Sequence, residues 1–218
     1  DAYAVETQRR CEAARKAGKF SDEIVPFELK TRKGTETLAL DEHPRDGATM
    51  EQMAKLDPVF RKQGGSVHPG NSSGITDGAA AVLVVCEEKA KKKGLPILAY
   101  VEDWVTVGVD PKIMGIGPVP AVGKLMERLG RKLDDYDLIE LNEAFAAQVI
   151  ACDRELKLPK DRLNVNGGAI ALGHPIGATG CRVTVTLLHE MKRRKAKLGL
   201  VTLCVSGGLG IAMSLRAP

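Results

Sequence analysis

Aromatic residues are scarce in this chain, at 4% of 218 positions with a single tryptophan. So few rings argue against a stacking platform for single-stranded nucleic acid. No apolar run reaches membrane-spanning length, and no basic-then-apolar leader opens the sequence. Neither a nucleic acid nor a membrane is expected as a partner. The five cysteines (Cys11, Cys86, Cys152, Cys181 and Cys204) are odd in number and widely spaced, with no C-x-x-C or H-x-x-x-H pair. No metal site is expected from them, and a reducing, cytoplasmic compartment is the default. Two nucleotide signatures are also missing. Gly173, Gly177 and Gly180 are spaced G-x-x-x-G-x-x-G rather than G-x-G-x-x-G, and no Gly-Lys-Ser/Thr ends a phosphate loop. The chain starts at Asp1 rather than Met, directly in a helical pattern, which reads as a fragment or a processed chain.

What is present is a globular composition, 44% hydrophobic and 28% charged, with a net charge of +4. The length allows one good core, or one domain plus an appendage. A mildly basic surface suits a phosphate-bearing ligand and suits plain solubility as well. The run Lys192-Arg-Arg-Lys195 falls where a helix should end, so it compensates the carbonyl end of the dipole on a solvated face.

The patterning predicts an exposed amphipathic helix over 1–19 and a short strand over 24–29. Residues 30–48 read as an excursion loop broken by Gly34, Pro44 and Gly47. Thr49 is placed to cap a short helix through Leu56. Residues 61–74 form a second excursion. Ala79 to Cys86 is continuously apolar, as a buried strand would be. A charged helix follows over 87–93, then a strand over 97–107 and a helix over 118–129 with proline in its first turn. A strand over 137–141, a helix over 144–156 and a short strand over 162–165 lead to a glycine turn. A helix over 178–194 and strands over 198–204 and 210–215 complete the chain. Strand and helix alternate, which predicts α/β with a largely buried sheet. The helix over 178–194 is rich in Thr and Val, poor helix formers, and is apolar on several sides. Burial on both sides must hold it, more than this chain alone supplies.

Three polar residues fall at the carboxyl ends of predicted strands, the edge where open α/β sheets gather ligands: Asn142, His174 and Cys204. His174 lies in Asn166–Gly180, a turn with five glycines that runs into a helix. The positive helix end disfavours imidazolium, so a neutral, proton-accepting ring is expected there, although a histidine that merely bonds a turn looks the same. Cys204 precedes Ser206-Gly207-Gly208, whose amides suit an anion, although a free cysteine is commonly structural. Asn142 suits an oxyanion or a water, and equally a helix N-cap.

Taken together, Asn142-Glu-Ala-Phe-Ala146, Gly167 to Gly180, Cys204-Val-Ser-Gly-Gly-Leu-Gly210 and Asn71-Ser-Ser-Gly-Ile-Thr-Asp-Gly78 closely resemble the thiolases, the acetyl-CoA acetyltransferases and 3-ketoacyl-CoA thiolases. The resemblance runs along the whole chain and corresponds to roughly the second half of such an enzyme. It implies the C-terminal half of a five-layer α-β-α-β-α sandwich, with residues 1–74 the end of a coenzyme-binding loop domain and 75–218 the C-terminal core. It implies ping-pong acyl transfer between acyl-CoA and acetyl-CoA or CoA, with no covalently bound cofactor, and a homo-oligomer at full length. By resemblance His174 activates the nucleophile and faces the thioester oxygen, Asn142 holds a water at the enolate, Cys204 is the second acid/base, and the Ser206 amide serves an oxyanion hole. Many thiolases carry Gly at the last position. Arg45 would lie near the adenosine phosphates, Leu56, Phe60 and Pro69 would line the pantetheine tunnel, Ser73 would hydrogen-bond pantetheine, and Phe145 would close the acyl pocket. For Leu56 and Phe60 ordinary helix packing is the competing account.

The nucleophilic cysteine of that family lies in the N-terminal half, and none of the five cysteines here occupies its motif. The expectation is a chain inactive without that half. The competing readings are a non-catalytic thiolase-like chain that binds CoA or a partner protein, and a ketoacyl-synthase-type condensing enzyme. The latter uses a second His or an Asn where Cys204 stands.

Overall fold

Amphipathic spacing accounts for the first element of the computed structural model, which describes residues 1–218. Helix α1 (Ala2–Lys16) buries Ala4, Thr7, Gln8, Cys11 and Ala14, a single stripe at helical period. Strands β1 (Phe27–Thr31) and β2 (Gly34–Leu38) then pair as an antiparallel hairpin, with almost every residue exposed. The second strand lies inside the stretch expected to be loop. Its Gly-Thr-Glu-Thr-Leu sequence has no apolar alternation to announce it. Helix α2 (Met50–Met53) opens as expected at Thr49, through a capping box with Gln52, but ends before Leu56.

The expected buried strand over Ala79–Cys86 does not form. The segment precedes helix α3 (Glu87–Lys92) without a ladder, and Leu83 and Val84 are each 79% exposed. A strand exists only through its neighbour, and no residue of this chain lies beside it to complete the pairing.

Strand β3 (Tyr100–Gly108), helix α4 (Pro118–Leu129), strand β4 (Leu138–Leu141), helix α5 (Ala146–Leu156), helix α6 (Ala169–Leu172), helix α7 (Thr179–Arg194) and strands β5 (Leu198–Val205) and β6 (Leu209–Arg216) build the main body. The sheet order is β3-β6-β5-β4, with β4 and β5 parallel and the other pairs antiparallel. Side-chain alternation feeds two cores. Ile139, Leu141, Leu200 and Ala212 meet Val122 and Leu125 of α4 on one face. Leu138, Val201 and Leu215 meet Val183, Leu187 and Met191 of α7 on the other. The result is α4 and α5, sheet, then α7: an α/β arrangement in layers.

Two further expectations change. The strand over 162–165 shrinks to one parallel bridge, Ile139 to Leu163, because Asn164 turns into the left-handed region at φ 43°. Helix α7 is covered by the sheet on one side and by residues 19–23 and Asn166 at Thr186 and Glu190, while Cys181, Val185 and Leu188 are only half-buried. In its last turn, Arg193 and Arg194 pair with the buried Glu190, so the basic run anchors as well as solvates.

Candidate active site

Parallel pairing of β4 with β5 delivers two of the expected residues to one edge. Leu141 faces Thr202 in the ladder, and the Asn142 amide continues it by donating to the Thr202 carbonyl at 3.0 Å. Cys204 lies two residues further along β5. Asn142 is fully buried and caps nothing, since Phe145 stands at the start of α5. Its Oδ1 has no hydrogen-bond partner within the protein. A buried amide oxygen left open is costly unless a ligand or water completes it.

His174 reaches the same place from another direction. Helix α6 ends at Gly173 with φ 94°, where a Cβ would strike Thr76. A glycine alone is at ease there. The His174 amide donates to the Gly74 carbonyl at 2.8 Å, and Ile75 bridges His174 in parallel, so the glycine turn is stitched to residues 74–75. The ring's tautomer follows from one hydroxyl. Thr179 Oγ1 gives its only proton to the Pro175 carbonyl at 2.9 Å, and His174 Nδ1 lies 2.6 Å from that oxygen. Nδ1 must therefore carry the proton and donate it, which leaves Nε2 with a free lone pair. Nε2 lies 3.5 Å from Asn142 Nδ2. Burial, aided by the Arg182 cation, lowers the proton affinity of His174, so the ring is neutral near pH 7. Burial is the leading cause, where sequence reasoning invoked the helix end.

The Cys204 thiol is buried, and burial pushes its pKa up. It is a held proton rather than a standing thiolate. Exposed Ser206 follows, then Gly207 and Gly208 at φ 83° and 87°, forming the turn from β5 to β6.

Beside this centre lies a cavity of about 560 Å³. Arg45, Leu56, Pro69 and Ser73, four of the six residues expected at a coenzyme, share its wall with Gln8, His43 and Met53. The other two meet each other: the Phe60 and Phe145 rings stand edge to face at 6.0 Å between centroids. Arg45 is exposed and makes no ion pair, so its charge is free for an anion. Ser73 donates its hydroxyl to the Ala144 carbonyl at 3.0 Å, so towards a ligand it can only accept. His43, whose Nδ1 lies 2.8 Å from the Ala171 carbonyl, was lost to sequence reasoning inside the 30–48 loop.

Sequence reasoning also missed the charged groups behind the site. Glu140 projects from β4 into the interior, and burial raises its carboxyl to about 8. Burial likewise raises Glu23 to about 7. The Arg182 guanidinium opposes both shifts, yet all three of its nitrogens are buried without a hydrogen-bond partner.

Comparison with known proteins shows what the chain is similar to. The family model described as "Thiolase, C-terminal domain" matches residues 95–217, and "Thiolase, N-terminal domain" matches residues 1–88. The chain is 54% identical to an acetyl-CoA acetyltransferase of Paracoccus denitrificans over all of its own length and 56% of that protein's. A crystal structure of the Bacillus anthracis acetyl-CoA acetyltransferase superposes with a TM-score of 0.96 at 48% identity, covering 99% of this chain and 54% of that one. Human mitochondrial 3-ketoacyl-CoA thiolase in complex with CoA superposes at 0.91 and 44% identity, covering all of this chain and 54% of that one. The chain thus spans just over half the length of the relatives it matches.

Proposed function

Since the chain belongs to the thiolase family, we propose that it carries the C-terminal share of a site that transfers acyl groups between coenzyme A thioesters. The reaction is acetyl-CoA C-acetyltransfer, run as condensation of two acetyl-CoA or as thiolysis of a 3-ketoacyl-CoA. One observation carries the reading: His174 presents an unprotonated Nε2 next to Asn142, whose buried Oδ1 is open. That pair needs a proton donor and a polar ligand between them.

In the proposed cycle, a cysteine of the N-terminal portion gives its proton to His174 Nε2. The resulting thiolate attacks the acyl carbonyl and expels the CoA thiolate, which takes the Cys204 proton as it leaves and turns Cys204 into a thiolate. In the condensing direction Cys204 removes the α-proton of the second acetyl-CoA, and the carbanion attacks the acyl-enzyme to release the cysteine. Donors at the Ser206 amide and at Asn142 through a water stabilise the oxyanion and enolate. The cavity wall at Leu56, Pro69 and Ser73 takes the pantetheine arm, with Arg45 at the phosphates and Phe145 at the acyl end. Residues 1–74 serve the coenzyme and 75–218 the chemistry. The partner is the N-terminal thiolase portion, and the exposed apolar run 79–86 is where its sheet is joined. Five free thiols suit a reducing compartment such as the cytoplasm.

The test is complementation. This chain alone should not cleave acetoacetyl-CoA. Combined with the N-terminal portion of the Paracoccus denitrificans relative it should, and His174→Asn should then lower the rate by about 10²- to 10⁴-fold. Turnover by the chain alone would overturn the divided site. A folded combination that binds CoA without turnover would favour the non-catalytic reading.

A further inference from the structure

Asn142 and His174 belong to different segments, yet their side chains meet, and one buried carboxylate holds both segments. Glu143, next to Asn142 in sequence, is fully buried. Its Oε1 accepts from the Tyr3 hydroxyl at 2.7 Å, the Thr7 hydroxyl at 2.9 Å and Asn164 Nδ2 at 2.9 Å. Its Oε2 accepts from Thr7 at 3.0 Å and from the Ile170 amide at 3.1 Å. Thr7 in turn accepts from the Gly168 amide at 2.9 Å. Asn164 is itself pinned, bonding the Leu141 amide and carbonyl, each at 2.9 Å.

The connections have a direction. Ile170 lies in α6, a four-residue helix that runs straight into Gly173 and His174. Glu143 therefore joins the Asn142 loop, the start of the His174 turn and helix α1 at one point. No cation pairs with it. It is held by neutral donors through five hydrogen bonds, a fully satisfied buried network of the kind that rigidifies its surroundings. We propose that Glu143 is a positioning residue that sets the separation of Asn142 and His174, with Thr7 as its relay to the glycine turn. This rests on the thiolase reading for its activity readout, but not for its spectroscopic one.

Glu143→Gln is the diagnostic change. Whichever way the new amide turns, its NH2 meets an N–H, at Asn164 on one side or at Ile170 on the other. The shape is kept and the clamp is broken. Thr7→Val, a milder second variant, removes the relay and leaves the carboxylate in place. His174 is followed by nitrogen-edited NMR in this chain and in the complemented protein, and assigned with His174→Gln. In the unaltered protein the ring should hold its proton on Nδ1 and titrate below an ordinary histidine. In both variants Thr179 should keep the proton on Nδ1, while the Nε2 resonance shifts and the titration moves towards the ordinary value. In the complemented protein kcat should fall by about 10- to 100-fold, as a small misplacement does, with KM changed less than about threefold. Unfolded Glu143→Gln leaves the decision to Thr7→Val. Lower melting temperatures with an unchanged His174 titration and Nε2 resonance would overturn the proposal and leave Glu143 a structural clamp. Absence of turnover in the unaltered complemented protein would overturn the thiolase reading alone, with the His174 titration still deciding on Glu143.

Discussion

A single hydroxyl decides how His174 behaves. Thr179 has one proton and spends it on the Pro175 carbonyl, so the imidazole is oriented from behind by an acceptor. Thr179→Val should release the ring to either tautomer and lower kcat on the order of 10²-fold in the complemented protein, with thermal stability changed little. Steady-state kinetics beside a melting curve separates the two effects. The pH dependence has a definite sign. The active form is the neutral ring, and burial lowers its proton affinity. Activity should therefore persist below the ordinary histidine value of about 6.5 and fall only as pH drops through the lowered value. Stability follows the same direction from this group: the unfolded chain binds the proton more readily, so acid favours unfolding. Asn142 and Cys204 were legible in sequence as positions at the ends of strands that apolar patterning marks, whereas the strand expected before His174 is a single bridge and helix α6 delivers that residue instead. The tautomer was not legible, because it depends on a threonine that patterning treats only as a poor helix former.

At the scale of elements, close approach governs the glycine turn. A Cβ on Gly168 would lie 2.3 Å from the Glu143 carboxyl carbon, which four residues already hold in place. Gly168→Ala should cost about 1–3 kcal/mol through overpacking, measured as a shift in the urea midpoint of the chain. It should also disturb the entry of α6, so stability and His174 titration should change together. Helices α4, α5 and α7 were read within two residues because their periodicity is met by a sheet that this chain itself provides. Strand β1 was expected a few residues early, over 24–29, and β2 escaped notice because its polar, exposed sequence carries no alternation. The run 79–86 failed for the opposite reason. Its apolar signal is strong, but the ladder that would make it a strand needs a neighbour this chain does not contain.

For the whole molecule, the apolar surface is the outstanding property. Leu83 and Val84 are each 79% exposed in a stretch that has no ladder partner. Such an edge invites pairing with any available strand. The chain by itself should self-associate in sedimentation velocity, and Leu83→Lys with Val84→Glu should return it towards a monomer. A clean monomer without those substitutions would count against the exposed run as a joining surface. On helix α7, Arg182 keeps three buried nitrogens without partners. That cation also weakens His174 as a base. The basicity of the imidazole is in this way tuned from a distance, by a charge that the fold seals away from solvent.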